Sequence, residues 1–156
     1  MNKNKGVWAI ELFYNGRHQE VIMDDYIPCL DGSPCFTRAN GNELWVIMLE
    51  KAWAKVHGSY ERTAWGFPNL AMRDLTGAPS YSLPTQTEGM AQLVLNWDSQ
   101  NYLMCASAQF DDATPEEMQA NGLANQHAYS VIAAANLKHP LVADDTVIVC
   151  LRNPWG

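Results

Sequence analysis

Apolar and polar positions alternate from Val7 to Tyr14, with Trp8, Ile10, Leu12 and Tyr14 on one side of the alternation. A period of two is that of a strand with one buried face, so a strand is predicted here. Asn15-Gly16 follows, a pair that accepts the positive φ of tight turns, and a returning strand is expected from about Gln19 to Met23. Asp24-Asp25 ends it, and Tyr26-Ile27-Pro28 leads to a second turn at Asp31-Gly32. These aspartates lack the spacing of the alternating oxygen ligands in an EF-hand loop, so they read as solvated turn residues.

The period then changes. Leu44, Trp45, Met48, Leu49, Ala52, Trp53 and Val56 recur at three- and four-residue steps, which predicts a helix from Glu43 to about Val56. Asn42 is the expected N-cap and His57-Gly58 the expected stop. Glu43, Glu50, Lys51 and Lys55 decorate the remainder of the helix. Tyr60 to Leu75 is mixed, with short helical fragments, and Thr76-Gly77-Ala78-Pro79-Ser80 has the small, turn-forming composition of a boundary. A second helix is predicted from about Glu88 to Ser99, with Met90, Leu93, Val94 and Trp97 on one face. Tyr102 to Ala108 is β-like. Thr114-Pro115-Glu116-Glu117 combines a threonine cap, a first-turn proline and a glutamate three residues on, so it starts a short helix that Gly122 ends. Two strands close the chain, His127 to Ala135 and Thr146 to Leu151, joined through Lys138-His139-Pro140. No internal repeat is present.

Composition narrows the class. An apolar content of 47% with six Trp and six Tyr in 156 residues indicates a globular protein. A formal charge of −7 without a Lys/Arg cluster disfavours a nucleic-acid partner, and it is compatible with calcium. Cys29, Cys35, Cys105 and Cys150 have no zinc-clip spacing, and reduced thiols are expected. Cys105 and Cys150 fall in apolar strand patterns and read as buried small hydrophobes. The apolar run from Gly6 to Ile10 is too short for a signal-peptide core, and no stretch has the length of a membrane span. The default location is cytoplasmic.

His127 and Asn153 carry the candidate chemistry. A histidine opening one apolar strand and an asparagine closing the next can meet across an antiparallel pair. In the expected geometry the amide oxygen accepts the Nδ1–H and leaves Nε2 to act as a base. A half-buried strand histidine and a turn asparagine before proline would have the same spacing.

The motifs taken together resemble the calpain-type cysteine peptidases. Val21-Ile22-Met23-Asp24-Asp25-Tyr26-Ile27-Pro28 with Asp31-Gly32 is similar to that family's strand and turn before its helix. Gly41-Asn42-Glu43-Leu44-Trp45, Leu49-Glu50-Lys51-Ala52-Trp53-Ala54-Lys55 and Gly58-Ser59-Tyr60-Glu61 resemble its helix signature. Asp74-Leu75-Thr76-Gly77 resembles the crossing between its lobes. Gly122-Leu123 with His127-Ala128-Tyr129-Ser130-Val131, and Arg152-Asn153-Pro154-Trp155-Gly156, resemble its histidine and asparagine segments. Five such matches in the family's order are far more specific than any one.

The resemblance implies an α+β, papain-like, two-lobed peptidase core, here incomplete. Residues 1–77 would be the C-terminal part of the cysteine-side lobe, contributing a helix and hairpin. Residues 78–156 would be the N-terminal part of an antiparallel, β-rich His/Asn lobe. By position, His127 would be the base, Asn153 its orienter and Trp155 the shield of their hydrogen bond. Such a base makes the thiolate–imidazolium pair that attacks a peptide. Glu43 matches a calcium-ligating glutamate, although as a first-turn helix acid it also suits the macrodipole. Calcium is the implied cofactor, with most ligands outside this chain, and protein substrates are the implied partners.

Departures from the pattern qualify these expectations. The family's Gln and Cys-Trp nucleophile segment is expected upstream of Gly6 and has no counterpart here. Cys35 lies well before the helix and lacks the helix N-terminus that lowers a thiol pKa. The missing segment, or other domains of a parent protein, would be a further partner. The family continues past the Asn-Pro-Trp segment, so an unpaired sheet edge is expected. Gln126 stands where the family usually has glycine. The expectation is a cysteine endopeptidase part, inactive alone, and its alternative is an inactive binding or regulatory module. Intact His127 and Asn153 favour the former.

Overall fold

The alternating stretch at the start of the chain forms strand β1 (Val7–Leu12), paired antiparallel with β2 (Gln19–Asp24). Trp8 lies opposite Met23 and Ile10 opposite Val21, so the apolar members of both strands share one face. The connection is longer than a two-residue hairpin, because Leu12 pairs with Gln19. A 3₁₀ turn at Tyr14–Gly16 lies inside it, and Asn15 takes the expected positive φ of 52°. Asp31-Gly32 joins the two short strands β3 (Cys29–Leu30) and β4 (Ser33–Pro34).

The structure, a computed structural model, describes residues 6–109, 114, 117, 120, 122–138, 140–141 and 146–154. The chain divides into two units, Met1–Tyr81 and Ser82–Gly156.

In the first unit, helix α1 (Trp45–His57) covers the apolar face of the β1–β2 hairpin. Leu12, Val21, Met23, Met48 and Ala52 are its buried centre, flanked by Trp8, Ile10, Leu49, Trp53 and Val56. Complete burial of a side chain the size of Leu12 contributes about 1.5–3 kcal/mol. Gly58 ends the helix with φ 100°, as expected of a left-handed C-cap. The start differs from expectation. Asn40 O accepts the Glu43 N–H at 3.2 Å, so residues 40–43 close a turn. The helix therefore begins at Trp45, with no side-chain cap from Asn42 or any other residue. Glu43 precedes the helix rather than occupying its first turn. Leu44 and Trp45 are exposed, while Ile47 and Ala54 are buried in addition to the expected stripe.

The polar face of α1 is not simply solvated. Lys55 Nζ donates to Ile22 O at 2.6 Å. Lys51 Nζ donates to Asp24 O at 3.0 Å and to Tyr26 O, and forms an ion pair with the Asp24 carboxylate. The Lys51 hydrogen bond, aided by the Tyr26 N–H, holds the Asp24 carboxyl below the usual carboxylate range. Asp24 is solvent-exposed, as its reading as a solvated turn residue expects, and is in addition tied to the helix. Glu50 reaches the opposite way and accepts from both Thr37 N–H and Thr37 Oγ1, at 3.1 and 2.6 Å.

The mixed stretch after α1 contains a 3₁₀ turn (Glu61–Thr63) and helix α2 (Pro68–Thr76), which starts on its proline. Asp74 is buried, and its carboxylate accepts from Arg73 Nε at 2.8 Å. Phe13 N–H donates to Asp74 O at 2.7 Å, fastening the end of β1 to α2. Gly77 caps α2 at φ 72°, and a Cβ there would lie 2.8 Å from the Phe13 ring. Glycine is required at Gly77 on both counts.

In the second unit, helix α3 (Met90–Ser99) packs against an antiparallel sheet ordered β5 (Met104–Ala108), β6 (His127–Asn136), β7 (Val147–Arg152). A bulge between Val131 and Ala133 interrupts the β6–β7 register. Among the described residues β5 and β7 each pair only with β6, and Ile148, Val149 and Leu151 on β7 are exposed. The expected capping box is present, with Thr114 N–H donating to Glu117 Oε2 at 2.9 Å and Glu117 N–H to Thr114 Oγ1 at 3.3 Å. Residues 115, 116, 118, 119 and 121 of the expected helix lie outside the described residues, and residue 120 is helical. No helix among the described residues is long and apolar enough to cross a membrane.

Candidate active site

His127 is the first residue of β6, and its Cα partner on β5 is Ala108. Ser130 pairs with Arg152, so continuing that register brings Asn153 opposite Tyr129. His127, Tyr129 and Asn153 consequently lie on one face of the sheet, with Asn153 a diagonal neighbour of His127. Diagonal neighbours on a sheet are about 7–8 Å apart, within reach of long side chains. His127 Nε2 lies 2.9 Å from Asn153 Oδ1.

The expected pair is therefore formed, but through the other ring nitrogen. Nε2 is farther along the imidazole than Nδ1, and the diagonal separation requires that extra reach. An amide oxygen has lone pairs only, so Nε2 carries the proton and donates it. In this tautomer the basic lone pair resides on Nδ1, the nitrogen that can accept a proton. This reverses the sequence expectation, which gave the Nδ1–H to the asparagine and basicity to Nε2.

The approach to His127 is built by local backbone chemistry. Gln126 has φ 51°, the left-handed region in which glycine is at ease and glutamine is strained. Asn125 Oδ1 accepts the Gln126 N–H at 2.8 Å, and Tyr129 Oη accepts the Ala124 N–H at 2.7 Å. The Tyr129 ring stands edge-on to His127, centroids 4.9 Å apart and planes at 89°. Tyr129 is 5% exposed, the one buried hydrophobic residue of the second unit among those described. Within the segment His127-Ala128-Tyr129-Ser130-Val131, the sequence alone assigns Tyr129 no part. The two-residue step from His127 was the signal available for placing it on the same face.

Within the second unit, neither described cysteine faces His127. Cys105 pairs with Ser130, three residues from Ala108, so it faces the side of the sheet opposite His127. Cys150 is three residues from Asn153 and likewise faces away. Both are exposed, contrary to their expected burial, because they occupy the face that does not carry Tyr129. Desolvation by neighbouring atoms still pushes the Cys105 thiol up, which lowers its nucleophilic thiolate fraction. Cys29 on β3 and Cys35 just after β4 are exposed in the first unit, and neither starts a helix.

Glu43 lies in the turn before α1. Among the described residues, no group of three or more His, Cys, Asp or Glu side chains could hold a metal ion. Calcium takes six to eight oxygens. The described acidic residues alone do not make such a site at Glu43. Trp155 lies outside the described residues.

An imidazole fixed by an amide on an α+β scaffold is the arrangement of the histidine side of a papain-like cysteine peptidase. The model of the calpain family of cysteine proteases matches residues 1–156. This chain belongs to the calpain family. It is 33% identical to the calpain-1 catalytic subunit of Mus musculus over 155 residues, which are 97% of this chain and 22% of that protein. It is 30% identical to calpain clp-1 of Caenorhabditis elegans, over 97% of this chain and 20% of the relative. The calpain-type cysteine protease DEK1 of Zea mays is 30% identical over 98% of this chain, which spans 7% of it. The chain thus spans at most 22% of the length of these three curated relatives. Its α+β architecture corresponds to part of a calpain, papain-like peptidase domain.

Proposed function

We propose that this chain supplies the histidine–asparagine half of a calcium-dependent cysteine endopeptidase acting on protein substrates in the cytoplasm. The observation that carries this reading is the 2.9 Å contact between His127 Nε2 and Asn153 Oδ1 in a calpain-family chain. Asn153 holds the ring through Nε2–H, so that Nδ1 takes the proton from a nucleophilic thiol and later returns it to the leaving amine. The imidazolium formed in between is stabilised by the same amide oxygen. Trp155, two residues on, shields the hydrogen bond from water. Residues 1–77 form part of the cysteine-side lobe and residues 78–156 part of the His/Asn lobe.

The nucleophile comes from residues outside this chain, because the two cysteines on the His127 sheet face away from it. Glu43 would contribute one carboxylate to a calcium site whose ligands lie mostly outside this chain.

The purified 156-residue chain is expected to hydrolyse no casein-type substrate, with or without calcium. Calcium-dependent turnover that His127→Ala abolishes would show that a cysteine of this chain is the nucleophile, and would contradict the proposal.

A further inference from the structure

Tyr129 stands at the corner of the candidate site. Its backbone is two residues from His127 on β6, and by register it lies opposite Asn153. Its ring meets the His127 imidazole edge-on at 4.9 Å. At its far end, Oη accepts the Ala124 N–H at 2.7 Å. Burial and this hydrogen bond at the tip give the Tyr129 ring little freedom to tilt.

The turn held by Tyr129 Oη contains Gln126, the residue with left-handed backbone immediately before His127. A non-glycine residue in that region is strained relative to a right-handed conformation, because its Cβ crowds the following carbonyl oxygen. It persists only where surrounding contacts over-determine it. The Ala124–Tyr129 bond spans the strained residue, and the Asn125 side chain accepts that residue's own N–H. Release of the first allows residues 124–126 to relax, and His127 is the next residue along the chain. A change of direction there swings the imidazole away from Asn153.

We propose that Tyr129 is a positioning residue for His127: its ring walls the imidazole, and its hydroxyl locks the turn that aims it at Asn153. Tyr129 touches no substrate in this account and acts only through the histidine. The inference deepens the proposed function and rests on His127 being the base. Its content is nevertheless the imidazole tautomer, which is measurable in the chain without any peptidase activity.

The test is nitrogen-detected NMR of the His127 imidazole in the full 156-residue chain, comparing wild type with Tyr129→Phe and Asn153→Ala. Phenylalanine keeps the ring and removes only the hydroxyl. The wild type is expected to hold His127 in the Nε2–H tautomer with a slowly exchanging proton. Tyr129→Phe is expected to mix the tautomers and speed exchange of that proton by about five- to tenfold, the leverage of one hydrogen bond. The double variant should exchange less rapidly than the product of the two single effects, because both act on one bond. A folded Tyr129→Phe chain whose His127 tautomer and exchange match the wild type would overturn the proposal. So would loss of the folded sheet in Tyr129→Phe, since the hydroxyl would then serve core stability rather than His127. Absence of proteolysis in a reconstituted enzyme, with these tautomer shifts intact, would count against the proposed function alone.

Discussion

The two units of this chain spend their apolar residues differently. In Met1–Tyr81, one face of a hairpin and one face of α1 enclose Leu12, Val21, Met23, Met48 and Ala52. In Ser82–Gly156, Tyr129 is the single buried hydrophobic among the described residues, and it touches His127. The first unit is a core with polar ties at its rim. The second is a sheet whose best-buried side chain borders the candidate site.

That contrast can be broken by mutation. Leu12→Ala should have the largest effect on stability, because it opens a cavity in the one multi-residue core among the described residues. Substitutions of this kind cost about 2–5 kcal/mol. Amide exchange should show the β1–β2 and α1 signals losing protection while β5, β6 and β7 keep theirs. Equal loss in both units would show that they unfold as one cooperative body, and the contrast would fail.

A smaller effect sharpens the same comparison at the rim of the first unit. The Asp24 carboxyl titrates below its ordinary range because Lys51 bonds its charged form. A depressed carboxylate contributes stability above its unfolded pKa and loses it as pH falls through the folded one. The contribution should therefore be present at neutral pH and fade below about pH 4. Lys51→Met should flatten that acid limb in a denaturation series, by a small amount because Asp24 is exposed. An unchanged acid limb would show the pair to be without energetic consequence.

Local features of the fold were legible in the sequence, and features set by tertiary register were not. The β1–β2 pairing follows from alternation at Trp8, Ile10 and Leu12 with a turn pair at Asn15-Gly16. The body and C-cap of α1 follow from its stripe and Gly58. Its start was misplaced because the turn at residues 40–43 uses Asn42 before the helix can be capped by it. Lys51 and Lys55 looked solvent-facing because their partners, Asp24, Tyr26 and Ile22, are 25 or more residues away. The exposure of Cys105 and Cys150 follows from their lying on the face opposite the buried Tyr129, and a continuous apolar run does not encode that choice.

The candidate site divides in the same way. His127 and Asn153 were legible as a pair from their strand ends and from the resemblance to calpains. The ring nitrogen that meets the amide was not, because it depends on Asn153 lying diagonal to His127. The part of Tyr129 was hidden for a related reason. Its bond to Ala124 forms only when the strained Gln126 turn folds the chain back upon β6.

The most direct measurement of the central claim is complementation. The 156-residue chain is mixed with a separately prepared calpain segment that carries the nucleophilic cysteine and its helix, and peptide hydrolysis is followed in calcium. Hydrolysis is expected from the mixture, none from either part alone, and none when the chain carries His127→Ala. Hydrolysis that survives His127→Ala would contradict the account, because the base would then be another group.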